Sequence, residues 1–134
     1  MKKVITFGAF DLVHEWHKFF LNQAKKYWNF LITIVARDST IQKIKWKAPL
    51  YKEQKRLKDI KDLWISDLVE LGHHIDMMFA IKKYKPDIVA IGYDQNSFIY
   101  ELSEFLKKTK LKTSVITIDP HKENIYKSSK LKKN

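Results

Sequence analysis

The stretch KVITFGAFDLVHEWHKFF, Lys3–Phe20, changes its hydrophobic period midway, and that change decides how the rest of the chain is read. KVITF is short, β-branched and apolar on both sides, as strands buried in parallel sheets are. Beyond Glu15 the spacing becomes helical, with Phe20, Ala24 and Tyr27 at i, i+4 and i+7. Between the two lies GAFDLVHEWH, Gly8–His17, which sets a glycine, an aspartate and two histidines at a strand-to-helix turn. A helix start presents unpaired N–H groups and a partial positive charge, so this turn favours phosphate before any side chain is counted. Taken alone, the two histidines also fit a helix-capping His14 and an exposed His17. Zinc is disfavoured, because no third ligand is evident and the adjacent His73 and His74 face different ways.

Working outward, four more apolar runs follow: Phe30–Ala36, Asp67–Leu71, Asp87–Ile91 and Ser114–Ile118. Helical spacings separate them, with Leu57, Ile60 and Leu63 in one and Phe98, Leu102, Phe105 and Leu106 in another. This alternation predicts a single α/β domain over residues 1–134, a Rossmann-like open parallel five-stranded sheet with helices on both faces. Ligands of such sheets bind beyond the carboxyl ends of the strands. Two irregular stretches, Lys43–Tyr51 and Asp119–Lys127, read either as loops over that edge or as ordinary surface connections.

Composition narrows the function. With no cysteine, disulfides and thiolate metal sites are excluded. The first apolar run is broken at Asp11, too early for a signal-peptide core, and no run reaches the roughly 20 residues of a membrane span. A cytoplasmic protein is expected. The net charge of +11 invites a nucleic-acid reading, but only Arg37 and Arg56 of the 26 basic residues are arginine. Base readout leans on bidentate Arg, and the lysines are spread over the whole chain, which speaks against nucleic acid. Small anionic ligands such as nucleotides fit the charge.

The motif resembles the G-x-F-D-x-x-H-x-G-H signature of the cytidylyltransferase-type nucleotidylyltransferase superfamily, with Gly8, Phe10, Asp11, His14 and His17 in place. VARDSTIQKIKWKAP, KEQKR ending at Arg56, PDIVAIGYDQ and the late KSSK look like successive blocks of that family, in order, over nearly the whole chain. VARDST and GYDQ look most like archaeal-type FAD synthases, which adenylylate FMN. Glycerol-3-phosphate cytidylyltransferases are similar too, but typically carry a G-D-D-W-like block where this chain has Gly92, Tyr93, Asp94 and Gln95.

The resemblance implies nucleotidylyl transfer from ATP or CTP to a small phosphorylated acceptor, FMN first, with release of pyrophosphate. It implies that His14 and His17 contact the triphosphate, that Lys45 (or its neighbours Lys43 and Lys47) reaches phosphate, and that Arg56 binds it. Phe7, Gly8, Ala9, Phe10, Asp11, Gly92, Asp94, Ser128 and Ser129 would form the nucleotide site, with Asp11 orienting the loop or helping to hold a metal. Mg²⁺ is expected on the phosphates, and a homodimer is expected by the same resemblance.

One position of the signature departs. Trp16 stands where the family has glycine, whose missing side chain lets backbone approach phosphate. Trp46, in KIKWKAP, also falls where similar sequences have glycine, and Trp28 and Trp64 sit at helix-to-strand junctions that favour a glycine cap. The chain has 3 glycines and 4 tryptophans, whereas its length predicts about nine glycines. The expectation is that the four codons are UGA, decoded as glycine in the source organism. A genuine Trp16 would instead imply a non-catalytic nucleotide-binding domain.

Overall fold

The computed structural model describes residues 2–13, 15–27, 29–92 and 95–119, with Asn96 and Ser97 described by backbone alone. Its elements are β1 (Lys3–Gly8), α1 (Glu15–Lys25), β2 (Phe30–Val35), α2 (Asp38–Lys45), α3 (Glu53–Lys61), β3 (Leu68–Leu71), α4 (Phe79–Tyr84), β4 (Ile88–Gly92), α5 (Asn96–Lys108) and β5 (Ser114–Ile118). All strand pairs are parallel, in the order β3-β2-β1-β4-β5. The expected Rossmann-like α/β sheet is therefore the observed one.

Alternating side chains of β1 explain why its sequence reads as apolar on both sides. Val4 joins a cluster with Phe20, Leu21 and Ala24 of α1 and Ile60 of α3. Ile5 joins another with Ile32, Ile34 and Ala80 of α4. On that second face, Phe98 and Leu102 of α5 cover Val89 and Ile91 of β4. Helices thus flank the sheet on both sides and leave its carboxyl edge for loops.

Two strands start one residue later than the apolar runs suggest, because Asp67 and Asp87 have another task. Asp67 Oδ2 accepts the Leu31 N–H at 2.8 Å, and Asp87 Oδ2 accepts the Lys3 N–H at 2.9 Å. Each carboxylate pins the beginning of the neighbouring strand. Two short helices, α2 and α4, have no counterpart in the expected pattern, and Lys43–Lys45 close α2 rather than open a loop. The stretch after Asp119 lies outside the described residues.

Helix α2 ends at Trp46, whose φ of 63° is left-handed and whose N–H bonds to Gln42 O at 2.9 Å. Trp64, just past α3, has φ 57°, and Lys85, just past α4, has φ 48°. Among the described residues no glycine adopts this conformation, though glycine is its usual occupant. No helix among the described residues is long and apolar enough to cross a membrane.

Candidate active site

From β1 the chain winds to β2 and β3 on one side, then to β4 and β5 on the other, so the crevice between β1 and β4 is the topological switch point. Gly8 and Gly92 end the two strands that flank it. Gly8 is required by packing: a Cβ there would sit 2.8 Å from two ring carbons of Phe10. Phe10 turns inward through a φ of 51° and is 3% exposed. Its ring meets the His17 ring edge-on, with centroids 5.3 Å apart and planes at 66°. The G-x-F of the motif is thus a brace that fixes His17 in the first turn of α1.

A cavity of about 480 Å³ opens over this crevice, within the range of small-molecule sites. Phe7 to Asp11, Trp16, His17, Lys45 and Gly92, all expected at the site, line it together. His14, Asp94, Ser128 and Ser129 lie outside the described residues. Lys43 and Lys47 are not among the lining residues.

Arg56, expected on phosphate, is not among the lining residues. Its side chain has 0% exposure. Nε donates to Tyr51 O at 2.8 Å, Nη1 to Ala9 O at 2.8 Å and Ala36 O at 2.7 Å, and Nη2 to Asp38 Oδ1 at 2.7 Å. Four of the five guanidinium N–H groups are thereby committed to protein acceptors, which leaves no fork for phosphate. The residue ties the loop after β1, the loop after β2 and the segment before α3 into one knot.

Asp11 acts in the same way. Oδ2 accepts the Leu50 N–H at 2.6 Å and Oδ1 the Tyr51 N–H at 2.8 Å, so both oxygens hold the motif loop against the segment before α3. That arrangement fits its loop-orienting role better than a metal-holding one. Among the described residues, no group of three His, Cys, Asp or Glu side chains could hold a metal ion.

Other residues were missed at the sequence level. Gln95 bridges the switch point, its Oε1 accepting the Gly92 N–H at 2.8 Å and its Nε2 donating to Phe7 O at 2.9 Å. Its place in the GYDQ block was the available signal. Arg37 lines the cavity, donating from Nε to Gly72 O at 2.8 Å and from Nη1 to Glu53 Oε2 at 2.9 Å. Glu53 also accepts the Asp38 N–H at 2.8 Å. That backbone bond, with the Arg37 contact, holds its carboxyl below the usual range despite partial burial. Toward β3 the cavity is walled by Ile41 and Ile44 of α2 and by His73, Asp76 and Met77 of the loop after β3.

The tryptophans divide by environment. Trp16 lines the cavity and packs on Phe19 and Phe20, with ring centroids 5.8 Å and 5.7 Å away. Trp46 and Trp64 are 87% and 90% exposed on left-handed backbone. Trp28 lies outside the described residues.

Comparison with known proteins agrees with this geometry. The family described as cytidylyltransferase-like matches residues 5–134. An FAD synthase of Thermoplasma acidophilum is 35% identical over 133 residues, covering 99% of this chain and 93% of its own. One from Methanosarcina barkeri is 40% identical over 123 residues, covering 92% of this chain and 87% of its own. A crystal structure titled as the lipopolysaccharide core biosynthesis protein from Thermoplasma volcanium superposes with a TM-score of 0.80 at 36% identity. It covers 88% of this chain and 96% of its own. Motif, switch-point cavity and near full-length similarity converge: the chain belongs to the cytidylyltransferase-like family.

Proposed function

We propose that this protein is an FAD synthase, transferring AMP from ATP to the phosphate of FMN with release of pyrophosphate. The similarity to FAD synthases along almost the whole chain carries this reading. An FMN phosphate oxygen attacks the α-phosphorus of ATP, the new P–O bond forms, and the bond to the bridging oxygen breaks as pyrophosphate leaves. The attacking oxygen is already ionised near neutral pH, so the reaction needs alignment and charge stabilisation more than a strong base.

The crevice between β1 and β4 suits the nucleotide. Gly8, Ala9, Phe10 and the start of α1 would face the phosphates, and Gly92 and Gln95 would face the nucleoside. His17, with His14, would neutralise charge on the phosphoryl oxygens, and Lys45 would reach phosphate from the end of α2. Asp94, Ser128 and Ser129 are assigned to the nucleotide by resemblance. Arg56 and Asp11 act as positioning residues that hold the loops in register. Mg²⁺ would enter with the triphosphate, whose oxygens share the ion with several retained waters in such sites. This leaves the half toward β3, with its apolar wall, for FMN. A cytoplasmic location is carried over as the reading that fits these substrates, and a homodimer is carried over from the family, to be checked by light scattering.

Trp16 favours one competing reading, because its indole lines the cavity where the family has glycine. The left-handed backbone at Trp46 and Trp64 supports the glycine explanation at those two positions. We infer that all four are glycine in the organism's own protein. The deciding experiment measures pyrophosphate release and FAD formation by the chain as written and by its Trp16→Gly form, alone and with Trp46→Gly. ATP with FMN and CTP with glycerol 3-phosphate are the substrate pairs. FAD formation restored by glycine is expected. Turnover with CTP and glycerol 3-phosphate alone would replace FMN with a polyol phosphate, and nucleotide binding without turnover by any form would leave a binding domain. UGG codons at the four positions would refute the decoding account.

A further inference from the structure

At the half of the cavity toward β3 stands a lining histidine, stacked on a phenylalanine behind it, to which the transfer chemistry gives no task. His73, in the loop after β3, lines the cavity. Its Nδ1 accepts the Ile75 N–H at 3.1 Å and the Asp76 N–H at 2.9 Å. A ring nitrogen that accepts two amide protons carries none itself, so Nε2 bears the proton. One ring face stacks on Phe79, with centroids 4.7 Å apart and planes at 24°. Yet His73 is exposed and lines the cavity, so the stack on Phe79 does not take the whole ring out of reach of a ligand.

The loop that carries His73 and leads into Phe79 of α4 is held from both sides. Arg37 binds Gly72 O, and Asp76 accepts both the Met78 N–H at 3.0 Å and the Lys82 ammonium at 2.7 Å. The ring is thereby oriented before any ligand arrives, which lowers the ordering cost of binding. Met77, Ile41 and Ile44 add apolar walls beside it. Such a surface suits a flat heteroaromatic system with hydrogen-bond acceptors on its edge and offers little to a polyol.

We propose that His73, backed by Phe79, selects the acceptor by stacking on the isoalloxazine ring of FMN and donating Nε2–H to a ring carbonyl or ring nitrogen. This rests on the FAD synthase reading above. The test is His73→Asn, because the Asn amide oxygen reaches the place of Nδ1 and caps the same two amides, but supplies neither ring face nor Nε2–H.

FMN binding is read by quenching of flavin fluorescence, and KM for FMN and for ATP is read in the glycine-restored enzyme, with ribitol 5-phosphate as an acceptor lacking the ring. His73→Asn is expected to weaken FMN binding and raise its KM about tenfold to a hundredfold. The KM for ATP is expected to stay unchanged, as is whatever turnover the unsubstituted enzyme has with ribitol 5-phosphate. An unchanged FMN KM in His73→Asn would overturn the inference while leaving FAD synthesis intact. An equal loss for ATP and FMN would likewise reduce His73 to a loop-capping part. Failure of the unsubstituted protein to bind FMN at all would remove the FAD synthase reading and this inference with it.

Discussion

Trp46 and Trp64 hold a backbone conformation that disfavours any side chain, and their indoles recover almost nothing by burial at 87% and 90% exposure. Relative to glycine this costs roughly 1 kcal/mol at each position. Trp46→Gly and Trp64→Gly are therefore each expected to raise unfolding free energy by about 1 kcal/mol in urea titrations, with some of the gain offset by the freer unfolded chain. Loss of stability in either would count against glycine at that position. Trp16 differs, since it lies inside α1 and packs on two phenylalanines; glycine there opens the cavity at a helix-propensity cost of about 1 kcal/mol. The motif glycine and histidines were legible because a strand-to-helix turn is a readable local event. The inward turn of Phe10 was not, since its φ of 51° serves long-range packing of its ring in the core cluster that holds Phe20 and Ile60.

Helix α3 reads in sequence as a charged surface helix, yet it delivers the one guanidinium that knots three site loops together. Arg56→Met keeps similar bulk while orphaning three carbonyls and the Asp38 carboxylate. A loss of about 3 kcal/mol in denaturant titration is expected, mainly from the orphaned carbonyls, since the part-exposed Asp38 carboxylate can turn to water. Arg56→Lys should recover only part of it, since an ammonium lacks the planar fork that reaches all four acceptors. A stable Arg56→Met protein with only a raised ATP KM would return Arg56 to direct phosphate contact. Its burial had one readable signal, the four-residue spacing from the core residue Ile60. Helices α2 and α4 were hidden for a different reason: with eight and six residues, they carry too few apolar positions to show a period. The strands were legible almost to the residue, because burial on both faces of the central ones leaves a mostly apolar, β-branched run.

Across the whole molecule, a charge of +11 surrounds a cavity read as binding two anions. Long-range attraction of this kind raises encounter rates and is screened by salt. The KM for both ATP and FMN should therefore rise between low and physiological ionic strength, while kcat changes little, in steady-state assays at constant pH. A KM indifferent to salt would leave the lysines as a solvated coat without a part in capture. The Asp11 carboxylate adds a dynamic consequence. It holds the amides of Leu50 and Tyr51, so these protons can exchange with solvent only when the motif loop and the segment before α3 part. Their deuterium uptake is a clock on how often the two loops separate, and a bound nucleotide that closes the site should slow it.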